Sequence, residues 1–320
     1  MKYRTLPGTD LQLSAIGLGC WAIGGRWWGD DVDDAAARDL VDFAWERGIT
    51  SFDTAPLYGH GHADELLVKA LGKRRHELVI ATKVGVRWRG LDGHAYSELS
   101  PDHIVEDCEA SLRRLRLETI PLLQVHWPCE RGTALEATLE ALLALQAGGK
   151  IRHFGLCNYG SKAVEQALAY APGMASLQTP YSMVRREFEY ALREVAAPDG
   201  EQRLGVLAYE TLCRGLLTGK FTGIPHFPAS DLRHIDDRFA EPAFSRSKTL
   251  VDALRLVAGK LGVTPAALAV AWVLRQPGVS VAIVGAKSAE QVAANVRAVE
   301  LLAKQKPWEA LEPYIARTRL

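Results

Sequence analysis

The 320-residue sequence predicts an α/β fold: a (β/α)8 barrel of the TIM type, plugged at one end by an N-terminal β-hairpin. Three observations carry that prediction. Short apolar runs alternate with longer segments of helical periodicity, and the alternation repeats eight times along the chain. No Pro-, Gly- or Ser-rich linker interrupts it, so residues 1–320 are expected to form one domain. An open doubly wound sheet would want a GxGxxG turn between a strand and a helix. The nearest candidate, Gly17-Leu18-Gly19, is not continued by a helix.

Residues 3–14 give two polar–apolar alternations around Pro7-Gly8-Thr9-Asp10, a hairpin expected to close one end of the barrel. Residues 15–18 form the first barrel strand, followed by the loop carrying GGRWWGD. Asp33 and Asp34 then start a helix that runs to Arg47, acids first and bases last as the helix dipole prefers. Strand 49–53 precedes helix 63–71, and strand 78–82 precedes a loop and a helix from Pro101 to Leu115. Strand 120–125 precedes a helix near 134–147, ended by Gly148-Gly149. Strand 151–156 precedes helix 161–170, and strand 175–179 precedes helix 187–197. Strand 205–209 leads into a long loop, 211–245, then helices 246–261 and 265–275, the latter opened by Thr264 and Pro265. Strand 281–284 and helix 288–303 complete the eighth unit. Eight parallel strands close a sheet on itself and remove both edges.

Hydrophobic residues make up 48% of the chain and charged residues 24%, the balance of a soluble globular protein. Formal net charge is zero, without runs of like charge, so long-range attraction to nucleic acid or an anionic membrane is not expected. The N-terminal MKYRTLPGTDLQLS lacks the apolar core of a signal peptide, and no segment approaches about 18 consecutive apolar residues. A cytoplasmic monomer is the expectation. The five cysteines, Cys20, Cys108, Cys129, Cys157 and Cys213, are far apart and include no CxxC pair. That argues against a disulfide framework or a metal site. All but Cys108 follow predicted strands, where small side chains suit crowded loop starts.

The chemistry concentrates at strand ends. Asp53 closes the second strand and Tyr58 lies on the loop leaving it; Lys83 follows the third strand and His126 the fourth. In a barrel, catalytic groups gather at the C-terminal rim, so these four side chains are expected to meet. Lys83, Asp53 and His126 each have an ordinary alternative, as a surface lysine, a helix cap and a core histidine. Their joint occurrence at three strand ends is much harder to obtain by chance. Such a set can move a proton, with Tyr58 as acid, Lys83 beside it, Asp53 holding Lys83 and His126 orienting the reacting oxygen. An ammonium about 4 Å away at an effective dielectric of about 20 is worth roughly 4 kcal/mol. That would lower a phenol pKa by up to about three units before desolvation opposes it. With Lys83 as a Schiff-base nucleophile, the same barrel would read as an aldolase.

DTAPLYGHGHADELL, ATK and LLQVHWP, continued in order by KIRHFGLCNY, LQTPYSMVRRE, LAYETLCRGLLTGK and VGAKSAEQVAANV, resemble the aldo-keto reductases over nearly the whole chain. The wording is most similar to bacterial reductases of broad carbonyl specificity. The resemblance implies NADPH-dependent reduction of aldehydes or ketones, with Asp53, Tyr58, Lys83 and His126 catalytic. By the same resemblance Asn158 and Gln178 grip the nicotinamide carboxamide, Tyr209 stacks on its ring, and Trp21 and Gly285 border the cofactor. Backbone N–H groups near Leu212, Gly215 and Leu216 are expected to meet the diphosphate, with Arg214 assisting. Lys287 suits a 2′-phosphate, and Gln291 and Asn295 would cover the adenine from the same helix face. Ala294 stands where the family often has an acid, and Gln291 where an Arg is common, so NADH remains the alternative cofactor. Trp21, Trp27, Trp28, Trp88 and Trp127 are expected to wall the pocket of a small-molecule carbonyl substrate, with Arg87 or Arg233 favouring anionic ones. The chain also resembles the NADPH-binding β-subunits of potassium channels, which implies the alternative of a binding and redox-sensing module.

Overall fold

The computed structural model describes residues 1–25, 33–90, 94–190, 193, 195–196 and 201–318. β1 (Tyr3–Thr5) and β2 (Gln12–Ser14) pair antiparallel as the expected hairpin. β3 (Ile16–Gly19), β4 (Ser51–Asp53) and β5 (Val79–Val84) begin the barrel. β6 (Val86–Trp88) and β7 (Ala95–Ser97) make a second antiparallel hairpin inside the stretch expected to be loop. β8 (Ile120–Val125), β9 (Ile151–Cys157), β10 (Ser176–Pro180), β11 (Gly205–Tyr209) and β12 (Val279–Gly285) complete the circuit. The eight barrel strands follow sequence order and β12 returns to β3 in parallel, so the sheet has no edge.

Helices fill the crossovers: α1 (Asp34–Glu46), α2 (His62–Leu71), α3 (Pro101–Leu115), α4 (Leu135–Ala147) and α5 (Ser161–Tyr170). α6 (Ala243–Leu261) and α7 (Pro265–Leu274) precede β12; α8 (Ala289–Val296) and α9 (Lys306–Arg317) follow it. The starts obey capping chemistry. Asp33 accepts from the Ala35 N–H at 2.8 Å, and Thr264 Oγ1 from the Ala267 N–H at 3.1 Å ahead of Pro265. α7 is apolar all round and buried from Ala266 to Leu274, as a helix enclosed by other elements must be. No single helix among the described residues is long and apolar enough to cross a membrane.

Alternation along each strand divides the core in two. Outward residues such as Leu18, Phe52, Ile80, Leu123, Phe154 and Leu177 pack under the helices. Inward residues Val79, Ala81, Leu122, Leu207, Val281 and Ile283 meet Leu6, Leu11 and Leu13 of the N-terminal segment, all three nearly inaccessible to solvent. The hairpin therefore is a plug. A Cβ on Gly205 would stand 2.4 Å from Leu6 Cδ2, so glycine makes room for it. With apolar side chains filling one end, the same inward faces end at the other in Asp53, Lys83 and Tyr209.

Several expectations change. α6 starts at Ala243 rather than 246, and the 211–245 loop contains short 3-10 turns at Cys213–Thr218, Leu232–Ile235 and Asp237–Phe239. The last predicted helix stops at Val296 and tightens into a 3-10 turn, Arg297–Leu301, and α9 was not foreseen. The helix expected over 187–197 is described only in part, as a turn at 187–188 followed by helical residues at 189–190, 193 and 195, and Trp27 and Trp28 lie outside the described residues.

Candidate active site

β4 and β5 are neighbours in register, Asp53 opposite Ala81. Lys83 lies two residues beyond Ala81 on the same inward face, and its long side chain folds over the end of β4. Its Nζ donates to Asp53 Oδ1 and Oδ2, each at 2.8 Å, to Thr54 O at 3.0 Å and to Tyr58 Oη at 3.1 Å. Lys83 is 1% exposed and Asp53 5%. Two charges withdrawn from water to that degree are tolerable only when paired and hydrogen-bonded, as these are.

Tyr58 is delivered by a sharp turn in which Gly59, His60 and Gly61 take φ of 60°, 54° and 92°. A Cβ on Gly59 would stand 2.1 Å from Gly24 O. The loop after β3 and the loop after β4 thus touch backbone to backbone, and that contact requires glycine. His126 follows β8, its N–H donating to Val84 O at 3.0 Å, and its ring meets Tyr58 edge-on with centroids 6.2 Å apart. All four predicted catalytic side chains are brought together.

Burial governs their protonation. It pushes the Tyr58 phenol above its ordinary value, with Lys83 opposing and Asp53 adding to the rise. The lowered pKa expected from the sequence is therefore corrected, because withdrawal from water outweighs the ammonium. Burial also works against the charge on Lys83, but Asp53 and the surrounding groups hold its pKa above the ordinary lysine value. His126 is driven well below the ordinary histidine value, first by burial and then by Lys83. The resting site holds a protonated phenol, an ammonium and a neutral imidazole.

Around these, Gln178 Nε2 donates to Asp53 Oδ1 at 2.6 Å, Asn158 Nδ2 to His126 O at 3.0 Å, and Tyr209 Oη to Asn158 Oδ1 at 2.7 Å. The buried Cys157 thiol donates to Gln178 Oε1 at 3.5 Å, and burial pushes its pKa up to about 12. Cys20, Cys108 and Cys213 are also buried, Cys129 is half-buried, and all five cysteines are free thiols. Trp21 stacks on Tyr58 at 6.1 Å, Trp127 tilts against His126 at 5.1 Å, and Trp88 stacks on His60 at 4.7 Å. These indoles flank the opening. Arg87 is held by Glu106 at 2.7 Å and Asp107 at 3.3 Å.

On the second half of the rim three cations gather around the carboxylate of Asp231. Lys220, Arg233 and Lys287 lie close enough that Arg233 and Lys287 add to the effect of burial in lowering the Lys220 pKa. Burial and then Arg233 lower that of Lys287, against Asp231. A convergence of three cations fits a phosphate-bearing cofactor.

Comparison with known proteins decides the family. The profile of the Aldo/keto reductase family matches residues 15–315. The chain belongs to that family. The reductase is 36% identical over 297 residues to the aldo-keto reductase YhdN of Bacillus subtilis, covering 92% of this chain and 87% of the relative. Among solved structures it is similar to the glycerol dehydrogenase AKR11B4 from Gluconobacter oxydans, at 35% identity and a TM-score of 0.88, covering 99% of this chain and 95% of that one. It is also similar to the aldo-keto reductase AKR11C1 from Bacillus halodurans in its holo form, at 28% identity and a TM-score of 0.80, covering 100% and 97%. As a member of this family the chain is an oxidoreductase of carbonyl chemistry.

Some residues singled out in the reductase's sequence are placed differently. Lys287, Gln291 and Asn295 do not share one helix face. Ser288 caps α8, so Lys287 precedes the helix; Gln291 Oε1 accepts from the Lys287 N–H at 2.9 Å, and Asn295 is 5% exposed. Gly285, the last residue of β12, is exposed beside that loop. Leu212 and Leu216 sit in the turn after β11, but the Gly215 N–H is used on Leu212 O at 3.0 Å. Arg214 is engaged by Glu210 at 2.9 Å and Asp236 at 3.2 Å rather than open to phosphate. Arg233 pairs with Asp231 and lies near Lys287. Lys220 escaped the sequence reading, although GLLTGK already placed a lysine just beyond the loop expected to meet the diphosphate.

Proposed function

We propose that this oxidoreductase reduces aldehyde or ketone carbonyls to alcohols with NADPH, Tyr58 giving the proton. The observation that supports this most strongly is the single ammonium, Lys83, bonded at once to both Asp53 oxygens and to Tyr58 Oη. Because Lys83 donates to the phenol oxygen, the Tyr58 proton is turned toward the opening, and the same ammonium stabilises the phenolate left after transfer. Asp53 keeps that ammonium charged. A neutral His126 can donate an N–H to the substrate oxygen without competing for the proton. Lys83 as Schiff-base nucleophile fits poorly, since an amine must be neutral to attack and this one is held protonated.

NADPH, when bound, supplies the hydride. Asn158, Gln178, Tyr209 and Trp21 are the groups that would hold its nicotinamide end, with Leu212 and Leu216 at the diphosphate. Lys287, joined by Lys220 and Arg233, would take the 2′-phosphate. Gln291 and Asn295 lie nearby for the adenosine. Trp21, Trp88 and Trp127 would bind an apolar substrate body. An NADPH-oxidation assay over a panel of aldehydes and ketones tests the reading, and absence of turnover across the panel contradicts it. Lys287→Ala should lower the NADPH-to-NADH ratio of kcat/KM by about tenfold or more, the worth of one charge-assisted contact. An unchanged ratio removes Lys287 from the 2′-phosphate site.

A further inference from the structure

Glu210 directly follows Tyr209 and adopts φ +51°, the left-handed region that non-glycine residues rarely occupy; Cys213 and Arg214 do the same at 49° and 53°. Such backbone persists only where its surroundings over-determine it. Here the surroundings are ionic. Glu210 Oε1 accepts from Arg214 Nε at 2.9 Å, and its Oε2 accepts from Arg185 Nη1 at 2.6 Å and from Arg238 Nη1 at 2.9 Å. Arg214 and Arg238 also reach Asp236, at 3.2 and 2.6 Å. The Glu210 side chain is 7% exposed. Arg185 belongs to the segment after β10, Arg214 to the turn after β11, and Arg238 to the turn at Asp237–Phe239. One buried carboxylate joins all three. Phe221, Phe227 and Phe239 of the same segment pack edge-to-face with centroids 5.0 to 5.9 Å apart and join the main core outside the barrel.

We infer that Glu210 is a positioning residue that latches the 211–239 segment against the rim and so presets the cofactor-binding turn and Tyr209, without itself touching the cofactor. The inference rests on the reading of that turn as the diphosphate site. A buried ion cluster is weak grounds for stability alone, since desolvation cancels much of the attraction; a fixed geometry is what it gives. Charge and latch make opposite predictions. Removing the Glu210 charge would leave three guanidiniums less neutralised, which by simple Coulomb attraction tightens the hold on an anionic nucleotide. A released latch weakens it, because the segment must be ordered again on binding.

The test is Glu210→Gln in the full chain, with NADPH affinity measured by fluorescence titration and the 211–239 segment probed by limited proteolysis without nucleotide. The latch predicts a Kd at least about tenfold higher, a 1.4 kcal/mol loss, and faster cleavage within 211–239. Arg185→Met, which breaks the link to the β10 side only, should move both readouts in the same direction and serves if Glu210→Gln does not fold. Unchanged or tighter NADPH binding overturns the inference, as does a fall in Tm without change in Kd or cleavage. Should the unaltered protein bind neither NADPH nor NADH, the underlying cofactor reading fails and the latch with it. Loss of affinity in Lys287→Ala but not in Glu210→Gln overturns the latch alone.

Discussion

A phenol that gives up its proton leaves an anion, and Tyr58 has one ammonium in reach to accept that charge. The pairing of Lys83 with Asp53 was legible because both stand at strand ends whose neighbours alternate inward and outward. The resting pKa of Tyr58 was not legible, because it depends on how completely Trp21 and His126 cover the ring. Distance along a sequence suggests which charges meet; it says little about how much water is left around them. His126 makes the same point in a form that titration can check. Its folded pKa lies below the ordinary value of about 6.5. The unfolded chain therefore binds the extra proton first, and stability present above about pH 6.5 is lost as pH falls below it. Lys83, the charged group facing the ring, stays protonated throughout. Urea unfolding between pH 8 and pH 5 should show the native protein losing more stability than His126→Gln; equal slopes contradict a buried neutral imidazole.

At the scale of elements, turns carry more of the site than strands do. Gly59 has a φ of 60° and almost no room for a side chain against Gly24 O, so Gly59→Ala strains the turn twice. Far-UV circular dichroism should remain native while kcat/KM falls at least about tenfold, since displacement of about 1 Å at a reacting group is costly. Activity within twofold of the unaltered protein would show that the Gly24 contact does not position Tyr58. The clustered glycines of LYGHGH marked the turn in the sequence, but its partner loop, about 35 residues earlier, had no local signal. The α8 entrance was more readable than it was read. Ser288 followed three residues later by Gln291 is capping-box spacing, which puts the helix start after Lys287. The β6–β7 hairpin gave less warning, because its strands are only three residues each.

The whole molecule separates support from chemistry. Eight apolar runs with helices between them sufficed to predict closure, because only a closed parallel sheet satisfies every strand edge at this length. The plug was legible as a hairpin, and the inward rows of Val79, Ala81, Leu207 and Ile283 explain why Leu6, Leu11 and Leu13 are what it inserts. The inserted leucines and the catalytic groups occupy opposite ends of the same interior. Leu11→Ala should therefore cost about 2 to 5 kcal/mol of stability, as truncation of a fully buried leucine does, and leave kcat/KM within about twofold below the melting range. Denaturant unfolding alongside steady-state kinetics measures both, and a loss of activity matching the loss of stability would tie the plug to the site. The cation cluster at the rim lies beyond what alternation predicts, since Lys220 and Arg233 come from a loop without periodicity and meet Lys287 only in the folded chain.

The most direct measurement is turnover by Tyr58→Phe, which removes one hydroxyl from the Lys83–Asp53 pair and leaves the ring stacked on Trp21. The account predicts NADPH binding within about threefold of the unaltered protein and kcat for aldehyde reduction lower by about 10² to 10⁴, the range for loss of a general acid. Turnover retained within tenfold by the variant would contradict it.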